Sequence, residues 1–376
     1  MIIAVNTRFL IKDTLEGYGY FIKEVFQILV RKHPEHSFYF LFDRPYDPEF
    51  IFGENVRPVV VGPPARHPLL WKYWYDVKIP LVLRKIKADV FISPDSICSL
   101  TTRVPQCLVL HDLGVIHRSY EYRKPHVWYY RHYIPRFLKK AKHIATVSQF
   151  SKDDIVRTYK VQPEKISVVY NAPKESFDPV GEEVKTATKE RWTGGAEYFV
   201  YVGAIHPRKN LINLLKAFSI FKKRQQSGMR LVLVGRLLWK NNEFLQMVDT
   251  YKYRSDIVLT NYIAEEELHR LVASAYAMVY PSLFEGFGVP VVEAMKCLVP
   301  ALTSQHSAME EIAGEAALYF DPNSHQDIAD KMMRIYKDEA LRARLIQLGS
   351  ERANLYSWER TAELVWKGIE EVSRKR

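Results

Sequence analysis

The chain's 376 residues exceed the roughly 250 to 300 at which a single hydrophobic core tends to split, so two domains are expected. Hydrophobic residues at 47% and charged residues at 26% exclude a disordered chain, and no low-complexity tract or solenoid-length repeat interrupts them. A formal charge of +11 points to an anionic partner of one of three kinds: nucleic acid, a membrane surface or a polyanionic small substrate.

Met1 leads straight into an apolar run at residues 2–6, with no cleavable signal pattern before it. No stretch approaches the ~20 apolar residues that span a bilayer, so the expectation is a cytoplasmic protein, free or peripheral on the inner face of the membrane. A helical pattern follows at residues 18–31, then apolar runs at 38–42, 59–61, 90–93, 107–111, 143–148 and 166–170. Near-continuous apolar strands separated by helices predict a mainly parallel sheet covered on both faces, a doubly wound α/β domain.

Between Ala65 and Lys142 there are fifteen Lys or Arg against five Asp or Glu, interleaved with Trp71, Tyr73, Trp74, Tyr75, Trp128, Tyr129, Tyr130 and Tyr133. Such a mixture suits contact with an anionic membrane, where cations and amphipathic rings sit at headgroup depth. The plainer reading is an amphipathic helix with its aromatics in the core and its cations in water, and both stay open. Nucleic acid is not expected, because no reader motif accompanies the charge.

A polar stretch rich in Lys and Glu after Pro173 reads as a linker, which places the domains at 1–173 and 174–355. Apolar runs resume at 198–204, 231–235, 256–260, 277–280, 300–303 and 317–320, each followed by a helical pattern, so a second domain of the same class is predicted. Residues 356–376 form a terminal helix with Ala362, Val365 and Ile369 at helical spacing and no following strand. Either domain could receive it, and packing back on the first is the expectation. The three cysteines, Cys98, Cys107 and Cys297, have no metal-ligand spacing, so no metal site is predicted.

Open parallel sheets bind ligands beyond the carboxyl ends of their strands, where loops and helix N-termini supply donors for phosphate. After the run at 277–280 comes Pro281-Ser-Leu-Phe-Glu285-Gly286-Phe287-Gly288-Val289-Pro290, then a helix carrying Glu293. The glycines permit close backbone approach, and Pro290 suits a first helical turn. Two carboxylates flank this anion-accepting turn, and their natural partners are sugar hydroxyls. Phosphate between two sugars describes a nucleotide-sugar.

This segment, with Tyr280-Pro-Ser before it, resembles the signature of family 4 glycosyltransferases of the GT-B fold, two doubly wound Rossmann-like domains facing across a cleft. The resemblance implies that Glu285 serves the donor sugar, Glu293 the ribose and Gly286-Phe287-Gly288 the phosphate. It implies that Gly203, Arg208 and Lys209 in Val202-Gly203-Ala-Ile-His-Pro207-Arg208-Lys209-Asn210 meet the diphosphate. Ala204 stands where many relatives have a basic or hydroxyl residue. His111 would touch the donor sugar or steady the transition state, with Asp112 orienting its ring or contacting the acceptor. Gly17 and Gly19 would approach the diphosphate and acceptor, and Gly235 and Ile263 the base.

The function implied is retaining glycosyl transfer from a nucleotide-sugar, GDP-mannose being the first choice and a UDP-sugar the alternative. The acceptor would be a saccharide or lipid-linked saccharide in surface-polysaccharide assembly. No cofactor or metal is implied, since the cationic loop takes a divalent ion's place and no Asp-x-Asp tripeptide occurs. Two rivals stay open: a nucleotide-sugar epimerase or hydrolase of the same fold, and a non-catalytic basic protein binding membrane or nucleic acid.

Overall fold

The computed structural model describes residues 1–13, 15–236 and 242–374; Lys375 and Arg376 of the predicted terminal segment lie outside the described residues. The chain divides into two compact units, Met1–Asn171 with Ser357–Arg376, and Ala172–Tyr356.

In the first unit seven strands form one parallel sheet: β1 (Ile2–Asn6), β2 (Ser37–Phe42), β3 (Val56–Val60), β4 (Val90–Ser93), β5 (Gln106–Val109), β6 (His143–Thr146) and β7 (Ile166–Val168). Their order is β3-β2-β1-β4-β5-β6-β7, with Ile3 opposite Phe38 on one side and Val90 on the other. The helices are α1 (Gly17–Lys32), α2 (Pro68–Tyr73), α3 (Ile79–Lys85), α4 (Gly114–His117), α5 (Lys124–Lys140) and α6 (Gln149–Tyr159). All four residues of β4, and all four of β5, are buried. They show no polar alternation because helices cover both faces of the sheet. Helix α1 buries Phe21, Ile22, Val25, Phe26 and Leu29, one stripe at helical spacing, and Pro34 stops it by disfavouring helical geometry at His33.

The second unit repeats the plan with β8 (Tyr198–Val202), β9 (Arg230–Val234), β10 (Ile257–Asn261), β11 (Ala277–Tyr280), β12 (Ala301–Ser304) and β13 (Ala317–Phe320). These are parallel in the order β10-β9-β8-β11-β12-β13. Its helices are α7 (Glu182–Thr193), α8 (Leu211–Gln225), α9 (Asn242–Asp249), α10 (Glu265–Ala273), α11 (Val289–Lys296), α12 (Ala308–Ala313), α13 (His325–Lys337) and α14 (Glu339–Ala353). The last helix, α15 (Trp358–Arg374), returns to the first unit. Trp358 meets Tyr20 and Phe21 of α1 with ring centroids 6.3 and 6.2 Å apart, and Trp366 stacks on His33 at 3.5 Å. Gly368 allows the approach to β6, since a Cβ there would lie 2.8 Å from the His143 ring.

Predicted apolar runs and observed strands coincide apart from their ends. His111 and Ser148, read as the last residues of strands, lie beyond β5 and β6. Ser148 instead caps α6, its hydroxyl accepting from the Ser151 N–H at 3.0 Å. Each sheet reverses its strand order once, between β1 and β4 and between β8 and β11. Loops leaving neighbouring strands in opposite directions open a crevice at such a point, and ligands bind there.

Candidate functional site

In the second unit the reversal brings together the loop after β8, with Gly203, Arg208 and Lys209, and the loop after β11, with Glu285 to Gly288. Gly203 and Gly235 have φ of +149° and +147°, a region only glycine enters freely. A Cβ on Gly235 would lie 2.0 Å from the Gly203 carbonyl oxygen, so two strand ends meet backbone to backbone. The Gly203 N–H donates to Val234 O and the Gly235 N–H to Asn261 O, at 2.9 and 3.0 Å. Pro207–Lys209 makes a single 3-10 turn that His206 caps and left-handed Asn210 ends. That turn aims both cations at the β11 loop. Asn210 ties it down, donating to Pro281 O at 3.2 Å and Pro322 O at 2.6 Å.

Four donors converge on one oxygen, Glu285 Oε1. Arg208 lies at 3.0 Å, Lys209 Nζ at 2.5 Å, the Tyr280 hydroxyl at 3.2 Å and the Ser282 hydroxyl at 2.5 Å. Lys209 also donates to Tyr280 at 2.7 Å, and Arg208 to the Phe284 carbonyl. Burial pushes the Glu285 carboxyl up, but the charges of Arg208 and Lys209 outweigh it and hold the group at about 2. The result is a carboxylate that stays ionised at neutral pH between two cations, with Oε2 receiving none of these four contacts.

Gly288 immediately precedes α11; its φ is +97°, and a Cβ there would sit 2.8 Å from Met309. The left-handed turn and the close Met309 side chain explain the glycine. Phe287 is buried edge-on against Tyr356 at 5.3 Å, a packing role. Glu293, five residues after Gly288 on α11, is 4% exposed, and its Oε1 has no hydrogen-bond partner. Burial raises its carboxyl to about 7, against the pull of Lys174. A buried acceptor without a donor calls for an explanation. Ile263 is half-buried just past β10, beside exposed Tyr262, over whose ring the Arg236 guanidinium lies at 5.7 Å.

In the first unit His111 lies just beyond β5. Its Nε2 donates to the Pro94 carbonyl at 3.0 Å, which makes Nδ1 the accepting nitrogen of the neutral ring. Tyr18 and Phe21 pack against the ring edge-on at 4.7 and 5.2 Å. Burial pushes the imidazole below its ordinary pKa. Asp112 Oδ1 accepts from the Gly114 N–H at 2.8 Å and so opens α4; the bond that fixes the His111 ring is the one to Pro94. Gly17 and Gly19 lie inside the first turn of α1. A Cβ on Gly19 would stand 2.4 Å from the Phe9 carbonyl oxygen, whereas Gly17 has open space.

Sequence reasoning overlooked what fills the first sheet's own reversal. Arg8, just past β1, and Asp95, just past β4, form a buried ion pair at 2.5 Å. Burial opposes the Arg8 charge, and Asp95 overrides it and raises the group. Tyr75 donates to Asp95 at 2.6 Å, Ser93 does so at 3.1 Å, and Arg8 donates to the Ala65 carbonyl at 2.9 Å. The signal was available: both residues follow the strands at which the order reverses, but strand order is not written in one sequence. Tyr280 and Ser282 were likewise read as flanking residues, while the structure makes them partners of Glu285.

Of the aromatic residues between 65 and 142, Trp71, Trp74, Tyr75 and Tyr129 are buried, as the core reading expects, whereas Tyr73 and Trp128 are exposed. His33, Glu35 and His36 bring one ligand atom each within 4.8 Å of one another, the group among the described residues with spacing suited to a metal ion. It lies in the turn after α1.

Residues 185–352 match the family described as Glycosyl transferases group 1, and residues 17–173 match Glycosyltransferase Family 4. The chain is 30% identical over 258 residues to the O-antigen chain mannosyltransferase B of Escherichia coli, covering 66% of each chain. It is 30% identical over 269 residues to the O-antigen chain mannosyltransferase RfbU of Salmonella typhimurium, covering 69% of this chain and 68% of the relative. The serotype-specific mannosyltransferase WbdA of Escherichia coli matches over 61% of this chain but 29% of its own length. Among solved structures, sucrose-phosphate synthase from Thermosynechococcus elongatus superposes with a TM-score of 0.81 at 17% identity, covering both chains fully. WaaG, a glycosyltransferase involved in lipopolysaccharide biosynthesis, superposes at 0.77 and 12%, covering 96% of this chain and 98% of its own. These structural likenesses show the fold, GT-B. Two family matches that together run through both units, and the RfbU relationship, place this chain in glycosyltransferase family 4.

Proposed function

We propose that the chain transfers mannose from GDP-mannose, with retention of anomeric configuration, to a saccharide or lipid-linked saccharide in surface-polysaccharide assembly. The observation that carries this reading is the convergence of Arg208 and Lys209 on Glu285 at the reversal between β8 and β11. Cations at a turn opening α8 oppose the helix dipole and favour an anion nearby. A donor diphosphate supplies it, and two positive groups stabilise the charge that develops as the bond from anomeric carbon to phosphate oxygen breaks. The acceptor hydroxyl then bonds to that carbon on the same face, and its proton passes to the departing phosphate oxygen. Glu285 Oε2 would hold a donor-sugar hydroxyl, and the unpartnered Glu293 Oε1 a ribose hydroxyl.

Mannose as the transferred sugar follows the likeness to O-antigen mannosyltransferases. Anabaena HepE, a structural neighbour at 14% identity, was solved with UDP-glucose, so the base needs its own test. His111 and Asp112 are proposed for the sugar and acceptor side, Gly17, Gly19, Gly203 and Gly288 for close backbone approach, and Gly235 and Ile263 for the base. No metal is invoked, and we also propose peripheral contact with an anionic membrane, where a lipid-linked acceptor resides.

A thermal-shift series with GDP, UDP, ADP and dTDP tests the donor, since a ligand that binds the folded state raises its melting temperature. GDP should give the largest rise; a larger rise with UDP overturns GDP-mannose. Product from GDP-mannose should be an α-mannoside, should need an acceptor, and should form at the same rate with a chelator present. Free mannose or an epimer without acceptor would instead support hydrolysis or epimerisation.

A further inference from the structure

Surface helices ordinarily turn polar residues to water, and the stretch from Pro68 to Lys85 does not. Its inner face, Pro68, Trp71, Trp74, Tyr75, Ile79 and Leu83, is buried in the first unit's core. Its outer face carries Leu69, Tyr73, Val77 and Leu81, exposed at 74%, 41%, 45% and 57%. One exposed leucine means nothing. Four apolar side chains at four-residue spacing make a row about 18 Å long, which is a patch.

In a regular α-helix each four-residue step overruns a turn by about 40°, so such a row would wind off the face. Here a π-type turn, Trp74–Lys78, joins α2 to α3; it follows Tyr73 and contains Val77. Its wider turn takes more residues and sets the drift back. The local geometry thus keeps the row on one side of the helix.

The surrounding charge is basic. Arg66, Lys72, Lys78, Arg84, Lys85 and Lys87 lie along this stretch against one acidic residue, Asp76. Asp76 is already engaged, by Lys72 and by the Leu100 N–H at 2.6 Å. Lys78 Nζ lies over the Tyr73 ring at 5.8 Å. A second copy of this chain brought onto the same face would oppose like charges.

We propose that this face docks on a bilayer bearing anionic headgroups. Leu69, Tyr73, Val77 and Leu81 enter the boundary between headgroups and acyl chains, and Arg66, Lys78, Arg84 and Lys85 meet headgroup phosphates. It gives the peripheral placement proposed above a definite surface, and rests on that placement but not on the transfer chemistry.

Sedimentation of the full chain with phosphatidylcholine vesicles, with and without phosphatidylglycerol, tests it. Binding should require the anionic lipid and weaken with salt, and the double variant Leu69→Glu/Leu81→Glu should lower the partition coefficient by about tenfold or more. Both side chains are exposed, so the variant's thermal unfolding and its turnover of a water-soluble acceptor should be unchanged. Lys78→Glu/Arg84→Glu should weaken binding through charge alone. Glu285→Ala should bind vesicles as wild type while losing turnover, which separates failure of this inference from failure of the enzymatic reading. Absence of binding to anionic vesicles, binding unaffected by the apolar double variant, or a change of oligomeric state caused by that variant would each overturn the proposal.

Discussion

Glu285 and Glu293 are both buried glutamates, and their surroundings drive them in opposite directions. Glu285 gains two cations and two hydroxyl donors, whereas Glu293 Oε1 gains none. The depressed group contributes stability that is present above 4.5 and lost as pH falls from there towards about 2. The raised group contributes stability that is present below 4.5 and lost as pH rises towards about 7. Glu293→Gln should therefore melt above wild type at pH 8 and level with it near pH 4.5. The gap should be on the order of 3 kcal/mol at most, and calorimetry at both pH values checks it. The same variant should bind nucleotide more weakly, by about tenfold for one lost hydroxyl contact. Glu285→Gln leaves Arg208 and Lys209 without their shared carboxylate and should lower turnover by about a hundredfold or more, read as kcat at saturating donor. Wild-type turnover by Glu285→Gln would sink the site assignment. The pairing of these carboxylates with a glycine turn was legible in the sequence, because spacing and residue type are local. The opposite directions of their pKa shifts were not, since one depends on Arg208 and Lys209 reaching across from the loop after β8 and the other on burial.

At the scale of elements the glycines divide by what lies beside them. Gly17 and Gly19 look alike in the sequence, both being near the start of a predicted helix. Gly19→Ala forces a methyl group to 2.4 Å from the Phe9 carbonyl, and backbone cannot yield as a side chain can. It should destabilise by about 1–3 kcal/mol. Gly17→Ala meets open space and should stabilise slightly, by about 0.5 kcal/mol. Urea denaturation of the two variants measures the contrast, and equal effects would contradict the packing described. Activity of Gly17→Ala carries separate information: if Gly17 serves a donor or acceptor, turnover falls while stability rises. Helix α1 itself was readable from its apolar stripe. The purpose of each glycine was not, because the Phe9 carbonyl belongs to a different turn of chain.

For the whole molecule, chain order and spatial order differ most at the C-terminus. The last helix follows the second unit in sequence yet packs on the first, through Trp358 on Tyr20 and Phe21 and Trp366 on His33. Deleting residues 357–376 should uncover that apolar surface and raise amide exchange in α1 and β4 to β7. Strands β8 to β13 should keep their protection, and exchange spreading equally through both units would contradict the division.

Residue order alone was enough to read the class of protein: two doubly wound α/β domains, the approximate positions of the strands, and a carboxylate-flanked glycine turn of family 4 type. Those properties rest on hydrophobic period and on residues close together in the chain. The rest came from the three-dimensional fold. It placed Arg208 and Lys209 on Glu285, filled the first sheet's reversal with the Arg8–Asp95 pair, assigned α15 to its unit, and turned Leu69, Tyr73, Val77 and Leu81 outward. Each of these depends on strand order and on which helix face meets a sheet. Both are set by contacts between residues far apart in sequence, for which periodicity carries no signal. The segment from Glu285 to Glu293 names the family, and the fold around it drives the pKa values of its two carboxylates apart.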